Sequence, residues 1–344
     1  MRDTQTTHFG GENHLAFARL PQGNPASAQE LTSHERYTMT PIEHDYAGKT
    51  AAMWNAVYKH FNMDVVMAMM VGDSKDAKDI LDGFKKDQKY IGGGSGVGFK
   101  DENVKYVDEL DPLAKAIGSI NLIQKLPGGL LKGWNTDGVG YRQSLEELLS
   151  KKGKSLHGAK IIMLGAGGTG NAVALALAEK GAHVVILNRT IEKAGELASR
   201  INAFVGDTRA RASGEDAIAL EIADASVVIN VSTKGATGAF EAYSALAPAK
   251  LPATEENISE NLSLAEKLFA HIPKEAILSD VVLRSTPSPF LERARAHGFT
   301  TLDGIPMVIN QGVEAFLIIH GKELEKYPDA RAQLQEIMQK AANF

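Results

Sequence analysis

Cysteine is absent from all 344 residues, which excludes disulfides and thiolate metal sites and suits a reducing compartment, the cytoplasm. No basic run stands out and the formal net charge is −5, so nucleic acid is not an expected partner. Long apolar runs are missing too. The densest near the front, "VVMAMMV" at residues 65–71, falls far short of the roughly 20 residues that span a bilayer and reads as a buried strand, so no membrane partner is expected. The opening "MRDTQTTHFGGENH" lacks the apolar core of a secretory signal. The histidines show no His-x-x-x-His spacing that would argue for zinc, so no metal is expected. Internal repeats and low-complexity tracts are absent as well.

What is present is an ordinary globular composition, 44% hydrophobic and 23% charged, on a chain long enough for two domains. Residues 1–35 read as a loosely ordered extension. In the middle of the chain, "AKIIMLGAG", "TGNAVALALAEKG", "AHVVILN", "IEKAGELASRINAF" and "ASVVINVS" alternate strand and helix, which implies a parallel sheet covered on both faces. The front part mixes the two types less cleanly: "TAAMWNAVYKHF" is a helix with Met53, Trp54, Val57 and Phe61 at core spacing, and "DAKDILDGFKK" is another. Three helical patterns close the chain after Pro287. Residues 238–274 are long and polar and read as a surface insertion with some helix. The basic residues of "TRARAS" (208–213) read as a solvated strand edge.

Two glycine clusters compete for a nucleotide. Gly165, Gly167 and Gly170 form G-x-G-x-x-G directly after a predicted strand and before a predicted helix, the context that gives the pattern meaning. At the end of the next strand, where an acidic residue would bind a ribose 2′-hydroxyl, stand Asn188, Arg189 and Thr190, with Lys193 a turn further on. All four side chains can donate to a 2′-phosphate, so the expected cofactor is NADP. The other cluster, "GGGSGVGFK" at 92–100, has no apolar helix behind it to offer an N-terminus to phosphate. Its informative residue is Lys100. Downstream, "KGWNTDGVGY" carries Asn135, Thr136 and Asp137, which by themselves fit a turn or helix cap as well as a site.

Together these residues resemble the shikimate dehydrogenase family. "GWNTD", "GAGGTG" and "NRT" match its motifs, while "IGSINLI" and "GIPMVINQGVEAF" are similar to two more, in order from about residue 37 to 322. The resemblance implies an α/β fold: an N-terminal three-layer substrate domain, 36–140 completed by 305–344, and a Rossmann NADP domain, 141–304. It implies NADP-dependent, reversible reduction of a ring ketone of the 3-dehydroshikimate type to a secondary alcohol, by an enzyme that is a monomer or homodimer. Lys100 and Asp137 correspond to the family's acid/base pair. Asn121 and Gln311 match its ring-hydroxyl ligands, as Asp137 also does, and Gly168, Asn230 and Gly304 join the cofactor set.

Departures gather at one end of the expected pocket. The family's Ser-x-Ser-Pro, which holds the substrate carboxylate, reads Gly48, Lys49, Thr50, Ala51; its Asn-Val-Thr-x-Pro-x-Lys keeps the lysine but has glycine at 94, 96 and 98, with Ser95 among them. The stretch 92–100 is therefore expected to be a rebuilt substrate-site loop. A usual tyrosine aligns with Leu283, and His44, beside the serine loop, is expected to pack. Gly48, Thr50 and Ser95 are accordingly candidate substrate residues. Two alternatives stay open: quinate or a related polyhydroxy-cyclohexane acid as substrate, and a nucleotide-sensing protein without turnover.

Overall fold

The computed structural model describes residues 33–44 and 48–343, so the extension read at 1–35 lies almost wholly outside the described residues. One sheet contains β1 (Arg36–Ile42), β2 (Val65–Val71), β3 (Tyr90–Gly94), β4 (Glu109–Leu110), β5 (Leu122–Lys125) and β6 (Leu131–Trp134). The other contains β7 (Lys160–Leu164), β8 (His183–Leu187), β9 (Ala210–Ser213), β10 (Val227–Asn230), β11 (Ile277–Asp280) and β12 (Thr300–Leu302). The helices up to mid-chain are α1 (Lys49–His60), α2 (Ala77–Lys86), α3 (Pro112–Ile117), α4 (Asp137–Lys151), α5 (Gly168–Glu179), α6 (Ile191–Val205) and α7 (Ile218–Glu221). After them come α8 (Glu255–Phe269), α9 (Pro289–Ala296), α10 (Ile305–Leu324) and α11 (Ala330–Ala342). The chain divides into two units, one running to Thr136 and taking in Ile309–Asn343, the other Asp137–Val308.

In the first unit the strands lie in the order β2-β1-β3-β5-β6-β4. β1 and β2 run parallel in full register, and their side chains alternate between faces. Tyr37, Met39, Val66, Ala68 and Met70 form one core with Ile80, Leu81 and Phe84 of α2. On the opposite face the Thr38 hydroxyl lies 3.1 Å from the Tyr58 hydroxyl of α1. Trp54 of α1 meets Phe316 of α10 edge-on at 5.1 Å. Helices thus cover both faces, which makes three layers. Met53, Trp54, Val57 and Phe61 are buried, as their spacing indicates.

The first glycine cluster needs correction. Gly92–Gly94 belong to β3 rather than to a loop. Gly93 has φ +147°, and a Cβ there would stand 2.2 Å from the Met39 carbonyl oxygen of β1. The strands approach more closely than a side chain permits, so these glycines serve strand packing. Only residues 95–100 form the connection.

In the second unit the order is β12-β11-β10-β7-β8-β9, with every neighbouring pair parallel. Numbered from β7, that order is the dinucleotide-binding one, whose ligand crevice lies at the β7/β10 switch point. Asp137, grouped with the substrate domain in the sequence-based division, opens α4 of this unit. α4 packs closely on α5: a Cβ on Gly138 would stand 2.1 Å from the Ala172 carbonyl oxygen.

The segment 238–274 is not a surface insertion. Ala245, Leu246 and Ala247, with Ala265, Leu268 and Phe269 of α8, enter the core built on β7 and β8. The polar outer face of α8 hides an apolar stripe at i, i+3 and i+4. β9 does end the sheet, but Arg211 there makes a two-pronged bond to the buried Glu221 carboxylate, at 2.6 and 2.5 Å, so it is more than a solvated charge.

Candidate active site

The turn from β7 to α5 is built for close approach. Gly165 has φ +116°, a conformation that favours glycine, and a Cβ on it would stand 3.1 Å from the Ser232 backbone. A Cβ on Gly170 would meet Val231 at 3.0 Å, so that glycine lets helix and strand pack. Gly167 and Gly168 face open space, with nothing nearer than 4.0 Å to their missing Cβ atoms. The free N–H groups at the start of α5 are therefore accessible to phosphate.

Gly165 and Gly167 open onto a cavity of about 360 Å3 that Asn188, Arg189, Thr190 and Lys193 also line. Arg189 and Lys193 are exposed, and they flank the start of α6, whose N-terminus favours anions. A pyrophosphate at the glycines and a 2′-phosphate at Arg189 and Lys193 both fit this donor set. Residues that the sequence reading did not single out also line it, among them Glu215, Ser232, Thr233, Lys234, Phe240 and 245–249. The only signal for them was the position of Ser232 at, and Lys234 just past, the end of a predicted strand.

Asn230 and Gly304 lie elsewhere. Asn230 is fully buried, and its Nδ2 donates to the Lys234 carbonyl at 2.9 Å and to Asp280 Oδ1 at 3.0 Å. Its Oδ1 accepts from the Ser232 amide and hydroxyl, so it shapes the wall rather than facing the cavity. Asp280 accepts from Val282 N and from the Ser288 hydroxyl as well, and burial pushes its carboxyl up to about 6. Gly304 is a packing position: a Cβ there would stand 2.8 Å from the Val281 carbonyl oxygen. Leu283 is half exposed.

In the first unit two of the expected residues, Asn121 and Gln311, converge with Thr136. Asn121 Nδ2 donates to Thr136 Oγ1 at 2.9 Å and to Gln311 Oε1 at 3.3 Å. Thr136 N donates to Asn121 Oδ1 at 2.8 Å. Ser95 joins through its backbone, its N–H donating to the Asn121 carbonyl at 2.8 Å. The Ser95 side chain is buried and accepts from Asn103 Nδ2 at 2.9 Å, so it supports the group from behind. Lys100 is half-buried and ends the glycine-rich connection; its carbonyl accepts from Ile120 N at 3.0 Å. Asp137 directly follows Thr136 as the first residue of α4. Gly48 is the N-cap of α1 in extended geometry, with no side-chain cap bond, and Thr50 is half-buried in that helix's first turn. His44 is exposed and does not pack as expected. Among the described residues no group of three or more His, Cys, Asp or Glu is placed to hold a metal, and no helix is long and apolar enough to cross a membrane.

Residues 39–123 match the family model of the shikimate dehydrogenase substrate binding domain, and 147–241 that of shikimate / quinate 5-dehydrogenase. The chain belongs to the shikimate dehydrogenase family. The shikimate dehydrogenase (NADP(+)) of Methanococcoides burtonii is 31% identical over 283 residues, 82% of this chain and 90% of the relative. Among solved structures, a shikimate dehydrogenase in complex with NADP+ is similar at a TM-score of 0.72 and 25% identity, covering 89% of this chain and 94% of that one. The 5-ketofructose reductase of Gluconobacter sp. strain CHM43 is similar at 0.69 and 26%, covering 90% and 98%. Membership accounts for the two sheets and for the glycine turn.

Proposed function

We propose that this chain catalyses the NADP-dependent, reversible reduction of a ring ketone of the 3-dehydroshikimate type to the secondary alcohol. The observation that carries the reading is the convergence of Asn121, Thr136 and Gln311 in a member of this family. A cluster of two amides and a hydroxyl presents donors and acceptors together, which suits a polyhydroxylated ring. Curated relatives bear the name shikimate dehydrogenase (NADP(+)), which favours shikimate over quinate and an enzyme over a sensor.

When bound, NADPH supplies the hydride. The chain's own residues do the rest. Gly165, Gly167 and Gly168 receive the pyrophosphate, and Arg189 and Lys193, with Asn188 and Thr190, select the 2′-phosphate. Asn121 and Gln311 hold ring hydroxyls. The Lys100 ammonium would stabilise the developing alkoxide and donate a proton to it, and the Asp137 carboxylate would serve as the second member of the acid/base pair. The absence of cysteine suits the cytoplasm as the enzyme's location.

The altered end of the site concerns the substrate carboxylate. Gly48 and Gly96 offer no hydroxyl where the family places donors, and Thr50 keeps one. A Cβ on Gly96 would stand 2.4 Å from Ile42 Cγ2 and 2.8 Å from the Pro41 carbonyl oxygen, so a donor cannot simply be restored there. Lower affinity for the carboxylate end follows. The test is a panel of cyclic hydroxy acids, shikimate and quinate included, each offered with NADP while nicotinamide absorbance is followed. Turnover of shikimate above the rest supports the reading, and turnover of none overturns it.

A further inference from the structure

Part of the wall of the cavity that holds the glycine turn and Arg189 is a stretch without regular secondary structure, 245–249. Such a stretch would ordinarily be loose, and ordering it on binding would cost affinity. Here it is already fixed, largely by one side chain. Asn261 of α8 is 2% exposed. Its Nδ2 donates to the carbonyls of Ser244 at 3.1 Å, Ala247 at 3.0 Å and Pro248 at 3.0 Å. Its Oδ1 accepts from Ser244 N at 2.8 Å. The amide's two N–H groups are thus shared among three carbonyls, and its oxygen closes the ring. From the other side Lys234, itself in the cavity wall, donates to the Ala247 carbonyl at 2.9 Å and pairs with Glu215 at 2.8 Å. The Ala247 carbonyl is therefore gripped by both.

The two phosphate positions of the cavity lie at the glycine turn and at Arg189, and the adenosine is the part of the cofactor that joins them. We propose that Asn261 is a positioning residue for the adenosine 2′-phosphate half of the cofactor: it holds the backbone of 244–248 in place as the wall against which that half binds. Asn261 reaches no ligand itself. It acts through the three carbonyls and the one amide that it ties down, so a rigid wall is in place before binding and its ordering is not charged against affinity. The inference rests on the nucleotide reading of the cavity.

The probe is 2′,5′-ADP, titrated calorimetrically into the full chain and into Asn261→Asp, which keeps the acceptor for Ser244 N and loses all three donated bonds. The expected result is a Kd for 2′,5′-ADP raised by about tenfold, the effect of releasing a preorganised wall, with KM for NADP rising alike and kcat at saturating cofactor within about twofold. Unchanged affinity in Asn261→Asp, with 2′,5′-ADP binding the unmodified protein, overturns the inference alone. No binding of 2′,5′-ADP to the unmodified protein overturns the nucleotide reading beneath it. Should Asn261→Asp fail to fold, hydrogen exchange in the unmodified protein decides. The amides of Tyr243 and Ser244, which donate to the Phe240 carbonyl and to Asn261 Oδ1, are expected to exchange slowly already without ligand, and several-fold more slowly with 2′,5′-ADP. Free exchange there in the absence of ligand, or no slowing when ligand protects 165–170, contradicts a preformed adenosine wall.

Discussion

Asn121 and Thr136 hold each other from both ends of one amide: Nδ2 donates to the threonine hydroxyl at 2.9 Å, and Oδ1 accepts from the threonine N–H at 2.8 Å. The pair fixes the chain at the point where Asp137 begins α4. It also aims what remains of the Asn121 amide at Gln311, 3.3 Å away.

Replacing the threonine hydroxyl with a methyl tests this pairing. Thr136→Val keeps the shape of a side chain that is 1% exposed and removes the hydroxyl that accepts from Asn121 Nδ2. A loss of about 1 to 3 kcal/mol in urea unfolding is expected, with KM for the ring substrate rising more than kcat falls. A variant with unaltered stability and KM contradicts the role given to the pair.

Cofactor choice follows from the cations that line the nucleotide cavity. Arg189→Ala is expected to lower kcat/KM for NADP by about 10 to 100-fold, the worth of a charge-assisted hydrogen bond, mainly through KM. The value for NAD should barely move. Steady-state kinetics with both cofactors gives the answer, and equal use of NADP and NAD by the unmodified enzyme defeats the assignment.

Much of this was legible because it depends on local signals. Val/Ile/Leu runs marked β7, β8 and β10, and Gly165, Gly167 and Gly170 stood where a strand meets a helix. The failures share a different cause. Gly92 and Gly93 looked like loop glycines because the strands that forbid their side chains, β5 at Gly92 and β1 at Gly93, lie some thirty residues later and some fifty residues earlier in the chain. Residues 238–274 looked like an insertion because the apolar side of α8 is narrow, and Asn261, a polar residue at a buried position, masks it further. Asn230 looked like a ligand donor because a sequence does not reveal which hydrogen bonds an amide has already made. Pairings set by tertiary approach are the ones that propensity and motif spacing do not carry.

The substrate end of the site gives a gain-of-function prediction. Gly48 caps α1 with no side-chain bond, and serine is a good residue at that position. Gly48→Ser is expected to lower KM for shikimate by about tenfold, one charge-assisted hydrogen bond to the carboxylate, and to leave kcat within about twofold. A raised KM contradicts the placing of the carboxylate near the start of α1.

Stability should depend on pH through His320. This histidine is fully buried, with Nε2 3.0 Å from the Tyr58 hydroxyl and Nδ1 3.2 Å from Glu323, which Arg36 also grips. Burial lowers its pKa below 6.5, against the pull of the Glu323 carboxylate. The folded state therefore favours the neutral ring. That share of stability is complete above pH 6.5 and is lost as pH falls through the lowered folded value. Glu323 is held at about 2 by His320 and Arg36, so its share persists until far lower pH. Melting temperatures should drop from pH 8 to pH 5 more steeply in the unmodified protein than in His320→Gln. Asp280, raised by burial to about 6, works in the opposite direction, but it is common to both proteins and cancels in the comparison. Parallel curves refute the assignment.

The proposed action of Lys100 and Asp137 as one unit in a nicotinamide-dependent ketone reduction is tested by one set of turnover numbers. NADPH oxidation by 3-dehydroshikimate is measured at saturation for the unmodified enzyme, Lys100→Ala, Asp137→Ala and the double variant. The expected result is turnover by the unmodified enzyme, a loss of at least about 10²-fold in each single variant, and a double variant little worse than the weaker single one. Absence of turnover in the unmodified enzyme, or normal turnover in Lys100→Ala, would contradict it.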